Sequence, residues 1–335
     1  MNLRLNGFSL SLDNAKCGDC YISHAHSDHA AAAGRKGKRL LASAETLALL
    51  GKEGREAVHA HDSVKLRLIN AGHMLGSTQL VAESDEGKFV YTGDFKVEDG
   101  LTVKGAEVEA CNYLLMESTY SSPSTAFPPR EKVREELVRW VKKEAELNTV
   151  LIGGYSLGKA QELVATLNEG GLVPLVHPRI EQVCKIYSRF GVRLERIPLD
   201  SPEGEELKKK NFVGVMPFHL VDRELAYDVS RLCGKGVATA LATGWANTFR
   251  YPVDKVFQLS DHADFGEMLD YLERAKPGKI WCCYGDSEYL ARALCAKGYN
   301  ASAFSEAAQR TLADEVGTGG AAVEVSAGKG IGVQV

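Results

Sequence analysis

The chain has 335 residues, enough to bury a large core and to divide into two lobes. It is 44% hydrophobic and 25% charged, as expected of a soluble globular protein, and no apolar run approaches the ~18 residues of a membrane span. A net charge of −4 argues against holding duplex nucleic acid by bulk charge, but leaves room for a local basic channel or for metal ions as the phosphate contact. The N-terminus lacks the apolar core of a signal peptide, so a cytoplasmic protein is expected.

In chain order, Leu3–Leu12 alternates with period two and predicts a strand, closed by Asp13. Tyr21-Ile22-Ser23-His24-Ala25-His26-Ser27-Asp28-His29 then places three imidazoles and one carboxylate within six residues, in a chain of only 9 His. That spacing cannot be one face of a helix, but a strand end running into a tight turn can converge it. Neutral imidazole with a harder carboxylate oxygen suits a pair of divalent ions. Ala42–Leu50 predicts a short helix. Val64–Ile69 is a strand ending in Ala71-Gly72-His73. Thr78–Ala82 and Lys88–Thr92 form a hairpin across the turn Glu83–Gly87, and its second strand runs into Gly93-Asp94. Asn112–Met116 runs into Glu117. Strands that stop just before metal-competent or acidic residues mark a site built from strand ends on a rigid sheet. His26, Asp28, His73 and Asp94 would hold two metals with Asp94 between them.

Ser121–Pro129 is a turn-rich linker, followed by a helix from Arg130 to Leu147 with Val133, Leu137 and Val141 at i, i+4 spacing. Strands then alternate with helices: Thr149–Ile152, Lys159–Leu167, Leu172–Val176, Ile180–Phe190, Phe212–Met216, Asp222–Leu232 and Val237–Leu241. This predicts a parallel sheet covered on both faces. Lys255–Leu259 returns as a strand before Ser260-Asp261-His262-Ala263-Asp264. A helix to Ala275, the strand Lys279–Cys283 and a helix from Ser287 follow, while the Gly- and Ala-rich tail from Val316 has no predicted element.

The amides around Ser156 and Gly158, with Lys159, would hold a phosphate at a helix start; a plain glycine-rich turn is the alternative. Trp245, near Arg250, either stacks on a base or packs inside. Lys208–Lys210 reads as a solvated turn, His59 and His61 as a surface pair, and His177 and His219 carry no assigned role. The chain has 8 Cys, and its single C-x-x-C, Cys17–Cys20, has no second pair; reduced thiols are expected, with Cys282 and Cys283 in the core.

His24–His29, Gly72-His73 through Gly76-Ser77-Thr78, and Thr92-Gly93-Asp94-Phe95 together resemble the motifs of the metallo-β-lactamase fold. Met116–Tyr120 and Ser260–Asp264 resemble the segments bounding the insertion of its nucleic-acid-processing branch, the β-CASP nucleases. These include mRNA 3′-end processing endonucleases and prokaryotic ligase-associated exonucleases. The resemblance covers essentially the whole chain. It implies an αββα sandwich from residues 1–121 and 251–335, with a doubly wound β-CASP domain inserted at 122–250.

The resemblance also implies roles. His24, His26 and His73 hold a first metal, Asp28 and His29 face a second, and Asp94 bridges. Asp13 orients the ligand loop, and His262 with Glu117 protonates the leaving oxygen; Asp28, His262 and Glu117 are thus the expected catalytic residues. Gly158-Lys159-Ala160-Gln161-Glu162 is similar to the family segment G-[RK]-A-Q-E. Where RNA-cleaving members place a further ligand His, this chain has Tyr284, a poor zinc ligand. The second site is then short of one protein ligand, and Tyr284 either faces substrate or packs as a core aromatic. Zinc is the expected metal, tight at the first site and weak at the second, with manganese an alternative. Zinc brings bound water near neutral pKa, and the leaving 3′-oxygen needs a proton, which an imidazole held by a carboxylate supplies.

The expected function is hydrolysis of phosphodiester bonds in DNA or RNA, as a 5′-to-3′ exonuclease on single strands. DNA is slightly favoured because DNA-acting members also lack the further His. Single-stranded nucleic acid and a repair or RNA-processing protein are the expected partners. The alternatives are an RNA endonuclease of the 3′-end processing type, a thioester or lactone hydrolase, and a catalytically silent nucleic-acid-binding subunit.

Overall fold

The structure is a computed structural model, which describes residues 1–5, 7–304 and 324–326. The run expected as a single strand folds as two, β1 (Asn2–Leu5) and β2 (Phe8–Leu12). Leu5 faces Phe8 across a turn where Gly7 has φ 80°. Asn6-Gly7 is the signal for it, because two-residue hairpin loops need positive φ. The alternation survives the turn: Leu3 pairs with Leu10 and Leu5 with Phe8, so both strands present leucines to one side. With β3 (Asp19–Tyr21), β4 (Arg39–Leu41) and β17 (Glu324–Ser326) they form a sheet in the order β17-β1-β2-β3-β4. β3 and β4 have three residues each, too few for period two to be legible. The rest of the Gly- and Ala-rich tail lies outside the described residues.

A second sheet runs β16 (Ala301–Ala303), β15 (Lys279–Cys283), β8 (Tyr113–Glu117), β7 (Gly87–Tyr91), β6 (Thr78–Ser84), β5 (Lys65–Asn70). Leu80, Phe89, Tyr91, Leu115 and Trp281 pack against Leu3, Leu5, Leu10 and Leu12 of the first sheet. The residues between them, Val81, Val90, Leu114, Met116 and Ile280, pack against α7 (Phe265–Ala275) and α8 (Ser287–Ala296). A slip of one residue would exchange the two faces of a strand, and each large apolar side chain contributes roughly 1.5–3 kcal/mol on burial, so the register is firmly held. Cys20, Ile22 and Leu40 on the far side of the first sheet meet Leu47 of α1 (Ala44–Leu49). The layers are therefore helix, sheet, sheet, helix.

The third sheet is all parallel, in the order β11 (Ile197–Pro198), β10 (Leu175–Val176), β12 (Val213–Pro217), β9 (Asn148–Gly154), β13 (Gly236–Ala242), β14 (Lys255–Phe257). Val150 and Ile152 face α2 (Arg130–Ala145), α3 (Lys159–Glu169) and α4 (Pro178–Arg189), while Leu151 faces α5 (Pro202–Leu207) and α6 (Arg223–Cys233). One strand, β14, is misassigned by the sequence reading, which put it after the inserted segment. It pairs with β13, and the Asp254 carboxylate accepts from the Thr239 amide at 2.7 Å, so this sheet runs on to Phe257 rather than ending by residue 250. Leu75 lies in the same core, and the Tyr187 hydroxyl accepts from its amide at 3.2 Å. Among the described residues no helix is long and apolar enough to cross a membrane.

Candidate metal centre and acid–base pair

β2 is followed at once by Asp13, which has φ 52°, a region that non-glycine residues seldom enter unless held there. Four donors hold it. Its Oδ1 accepts from the Ser23 amide (2.7 Å), and its Oδ2 from the Ser23 hydroxyl (2.6 Å), the Tyr91 hydroxyl (2.7 Å) and His29 Nδ1 (2.8 Å). Asp13 thereby ties the turn after β3 to the neighbouring sheet.

That turn and the ends of β5 and β7 converge four donors: ligand atoms of His24, His26, His73 and Asp94 lie within 4.8 Å of one another. Each imidazole has its far nitrogen committed elsewhere. His24 Nδ1 is 3.0 Å from the Ser23 hydroxyl, whose own proton goes to Asp13. His26 Nε2 is 3.2 Å from the Leu157 carbonyl, and His73 Nδ1 2.9 Å from the Asp261 carbonyl. These acceptors fix the protons on the outer nitrogens and turn three lone pairs inward. His26 Nδ1 then lies 3.0 Å from His24 Nε2 and 3.1 Å from His73 Nε2. Three inward lone pairs repel one another unless a cation lies between them. Burial holds His24 and His73 well below the usual imidazole pKa, reinforced by the neighbouring imidazoles, so both are neutral at pH 7, the form that can ligate a metal. The donor set fits a divalent metal.

On the other side of Asp94, His29 Nε2 is 3.4 Å from Asp94 Oδ1 and 3.7 Å from Asp28 Oδ2. The Asp28 side chain is 75% exposed, so this second donor set opens to solvent. Burial opposes a charge on His29, but Asp94 and Asp13 outweigh it and push its pKa up. Tyr284 packs its ring 4.6 Å from that of His29, and its hydroxyl lies 3.3 Å from that of Tyr91. It is a packed aromatic whose phenol is kept protonated by burial, so among the described residues His29 is the one imidazole of this second donor set.

His262, after β14, lies with its ring 4.6 Å from that of His73, and its Nδ1 sits 2.9 and 3.1 Å from the two Glu117 oxygens. Glu117, at the end of β8, is fully buried and also accepts from the Phe95 amide (2.7 Å) and the Thr119 hydroxyl (2.5 Å). Although burial alone would favour the neutral forms, the pair holds Glu117 below and His262 above their ordinary values. An imidazolium with its Nδ1 side on a carboxylate is a positioned proton donor.

The phosphate cradle expected at Ser156, Gly158 and Lys159 is not available. Lys159 is 3% exposed; its Nζ donates to the Leu259 carbonyl and pairs with Asp261 Oδ1, both at 2.7 Å. The Gly158 amide is taken by Gln161 Oε1 (2.8 Å) and the Ala160 amide by the Tyr155 carbonyl (2.9 Å). Ser156 is half-buried, and its carbonyl accepts from Gln161. The physical reason is that this helix start is used to lock α2 and α3 to the segment bearing His262. Arg130 Nη2, 3.2 Å from Asp261 Oδ1, completes that lock. Arg130 and Asp261 were not identified by the sequence reading, although Asp261 stands inside the motif it singled out.

His59 is exposed beside Glu56, His177 caps α4, and the 8 cysteines are free thiols with Cys282 and Cys283 buried. Lys208 and Lys209 pair with Glu205 and Glu206 on the surface.

No family model matches the chain. It is 31% identical over 311 residues to a probable DNA ligase of Opitutus terrae, covering 87% of this chain and 29% of that protein. It is 27% identical over 281 residues to the 5′ exonuclease Apollo of Gallus gallus, covering 78% of this chain and 57% of that one. An RNase J-like protein of Methanocaldococcus jannaschii aligns at 32% identity over 110 residues, 32% of this chain and 26% of its own length. The chain thus spans less than two thirds of each of these relatives. A crystal structure of an Enterococcus faecalis protein of unknown function superposes with a TM-score of 0.56 at 13% identity, covering 81% of this chain and 76% of that one, which shows a shared fold.

Proposed function

The chain belongs to the β-CASP nucleases of the metallo-β-lactamase fold, and on that premise we propose that it is a zinc-dependent phosphodiesterase acting 5′-to-3′ on single-stranded nucleic acid. The parallel sheet and its helices, from residue 122 through β14, are read as the β-CASP insertion. The observation that carries the reading is the pairing of two things on one rim: inward-turned imidazole lone pairs, and the His262–Glu117 proton donor packed against one of those imidazoles.

His24, His26 and His73 would hold the first metal, with Asp94 shared toward Asp28 and His29 at a weaker second site that has a single imidazole. Bound zinc supplies Lewis acidity and a water of near-neutral pKa. Asp13 keeps the ligand turn in place. Glu117 keeps His262 charged and oriented so that it delivers its proton to the leaving oxygen, a contribution of typically 10²–10⁴-fold. Manganese fits the mixed nitrogen and oxygen donors as well. DNA is favoured over RNA because Tyr284 stands where RNA-cleaving members carry a ligand His, and because one relative is named a DNA ligase.

The test is cleavage of matched 5′-labelled DNA and RNA single strands by purified protein, with zinc or manganese and a His262→Ala control. Release of mononucleotides from the labelled end, lost in the control, supports the reading. Wild type and control equally inert on both strands would sink it.

A further inference from the structure

In an open parallel sheet, ligands settle at the carboxyl ends of the strands, where successive connections leave for opposite faces. Here that point lies between β9 and β12. The chain leaves β9 for α3, whose Leu163 and Val164 cover one face, and leaves β12 for α6, whose Leu225 and Val229 cover the other. The residues just past the two strand ends are aromatic. Tyr155 stacks on Phe218 with centroids 5.2 Å apart and planes 5° from parallel, and Tyr251 meets Phe218 edge-on at 5.8 Å. Yet Tyr155 is 52% exposed, so its stacked ring is not sealed into a core.

A second aromatic arm leaves the end of β13. Trp245 lies 4.6 Å from the ring of Tyr120 and 6.0 Å from that of Phe249, which is 54% exposed. Both arms begin at the metal centre. Tyr120 is 5.8 Å from His262, and Tyr155 stands two residues before Leu157, whose carbonyl receives His26 Nε2. Exposed aromatic rings beside the candidate site leave π-faces free to stack on a ligand. Arg250, exposed between Phe249 and Tyr251, adds a positive charge for a backbone phosphate.

We propose that these two arms are a base-stacking platform, on which unpaired nucleobases flanking the scissile phosphate lie against Tyr155 and Phe249. Every base has a π-face, so such a platform grips single strands without reading sequence. Paired and stacked bases of a duplex cannot use it, which makes it a selector for single-stranded substrate. The inference rests on the nuclease reading above.

The experiment compares steady-state cleavage of a natural DNA single strand with strands carrying abasic tetrahydrofuran residues at successive positions from the 5′ end. The enzymes are wild type, Tyr155→Ala, Phe249→Ala and Tyr227→Ala, the last removing an exposed aromatic of α6 outside both arms. For wild type, one or two abasic positions should raise KM by about 5- to 150-fold each. Tyr155→Ala and Phe249→Ala should show the same rise on natural DNA and lose their sensitivity to one abasic position. Tyr227→Ala should match wild type. Equal KM for natural and abasic strands with active wild type overturns the platform while leaving the nuclease reading intact, and this arm does not depend on any variant folding. No cleavage of any strand by wild type overturns both.

Discussion

Replacing Asp261 by Asn isolates the lock between the parallel-sheet lobe and the metal centre. Asp261 is 8% exposed, and its Oδ1 neutralises two cations, Lys159 Nζ at 2.7 Å and Arg130 Nη2 at 3.2 Å, each of them 3% exposed. The amide side chain would leave both cations buried without their carboxylate. Breaking a buried pair from one side costs about 3–5 kcal/mol. Two features place the expected value near the lower end. Lys159 keeps the Leu259 carbonyl, and burial already holds its pKa below the ordinary lysine value, which eases loss of its proton. A loss of about 3 kcal/mol corresponds to roughly 4 °C in Tm for a chain of this length.

The sign of the pH dependence follows. Burial raises the Asp261 pKa, but Lys159 and Arg130 outweigh it and hold the folded value below 3.8. Its contribution is therefore full above pH 3.8 and fades as the pH falls through the folded value, so wild type and Asp261→Asn should converge in acid. Because the Asp261 carbonyl receives His73 Nδ1 and His262 is the next residue, zinc affinity should also fall by about 10- to 100-fold. The assays are urea unfolding at pH 7 and in acid, with competitive zinc titration alongside. The double variant Lys159→Met/Asp261→Asn should lose at least about 1 kcal/mol less than the sum of the singles. An Asp261→Asn protein within about 1 kcal/mol of wild type at pH 7 would refute the reasoning, because two buried cations would then need no counter-ion.

Other perturbations probe the rest of the site. Asp13→Ala strips four donors of their acceptor and should lower metal occupancy by about 10- to 100-fold, read by elemental analysis after dialysis. Glu117→Gln removes the charge that keeps His262 protonated and should cut kcat by about 10²–10⁴-fold with metal content retained; loss of metal instead would make Glu117 a ligand. Tyr284→His adds an imidazole beside His29, at φ 56°, a conformation that histidine tolerates better than most residues. Calorimetric metal titration should then show a tightened second site. Gly285→Ala places a Cβ 2.2 Å from the Ser118 carbonyl oxygen at φ 45° and should lower stability by about 1–3 kcal/mol or more in urea unfolding.

Much of the candidate site is legible in the sequence because its chemistry is local in the chain. His24, His26, Asp28 and His29 share one turn; His73 follows a strand with a period-two signal, Asp94 follows and Glu117 closes a short apolar run; and the parallel sheet announced itself by the alternation of strands with helices. Elements of two or three residues, such as β3, β4, β10 and β11, carry too few side chains for any period to show.

The tertiary structure decided what depends on partners distant in sequence. Lys159 looks like a phosphate ligand until Asp261, 102 positions later, is brought 2.7 Å from it. β14 reads as part of the final segment until Asp254 binds Thr239 in the strand beside it. The orientations of His73 and His26, and hence where their lone pairs point, are set by the Asp261 and Leu157 carbonyls, 188 and 131 positions away in the chain. Residue types and their spacing determine which ligands exist; burial and long-range hydrogen bonds determine which of them are free to bind.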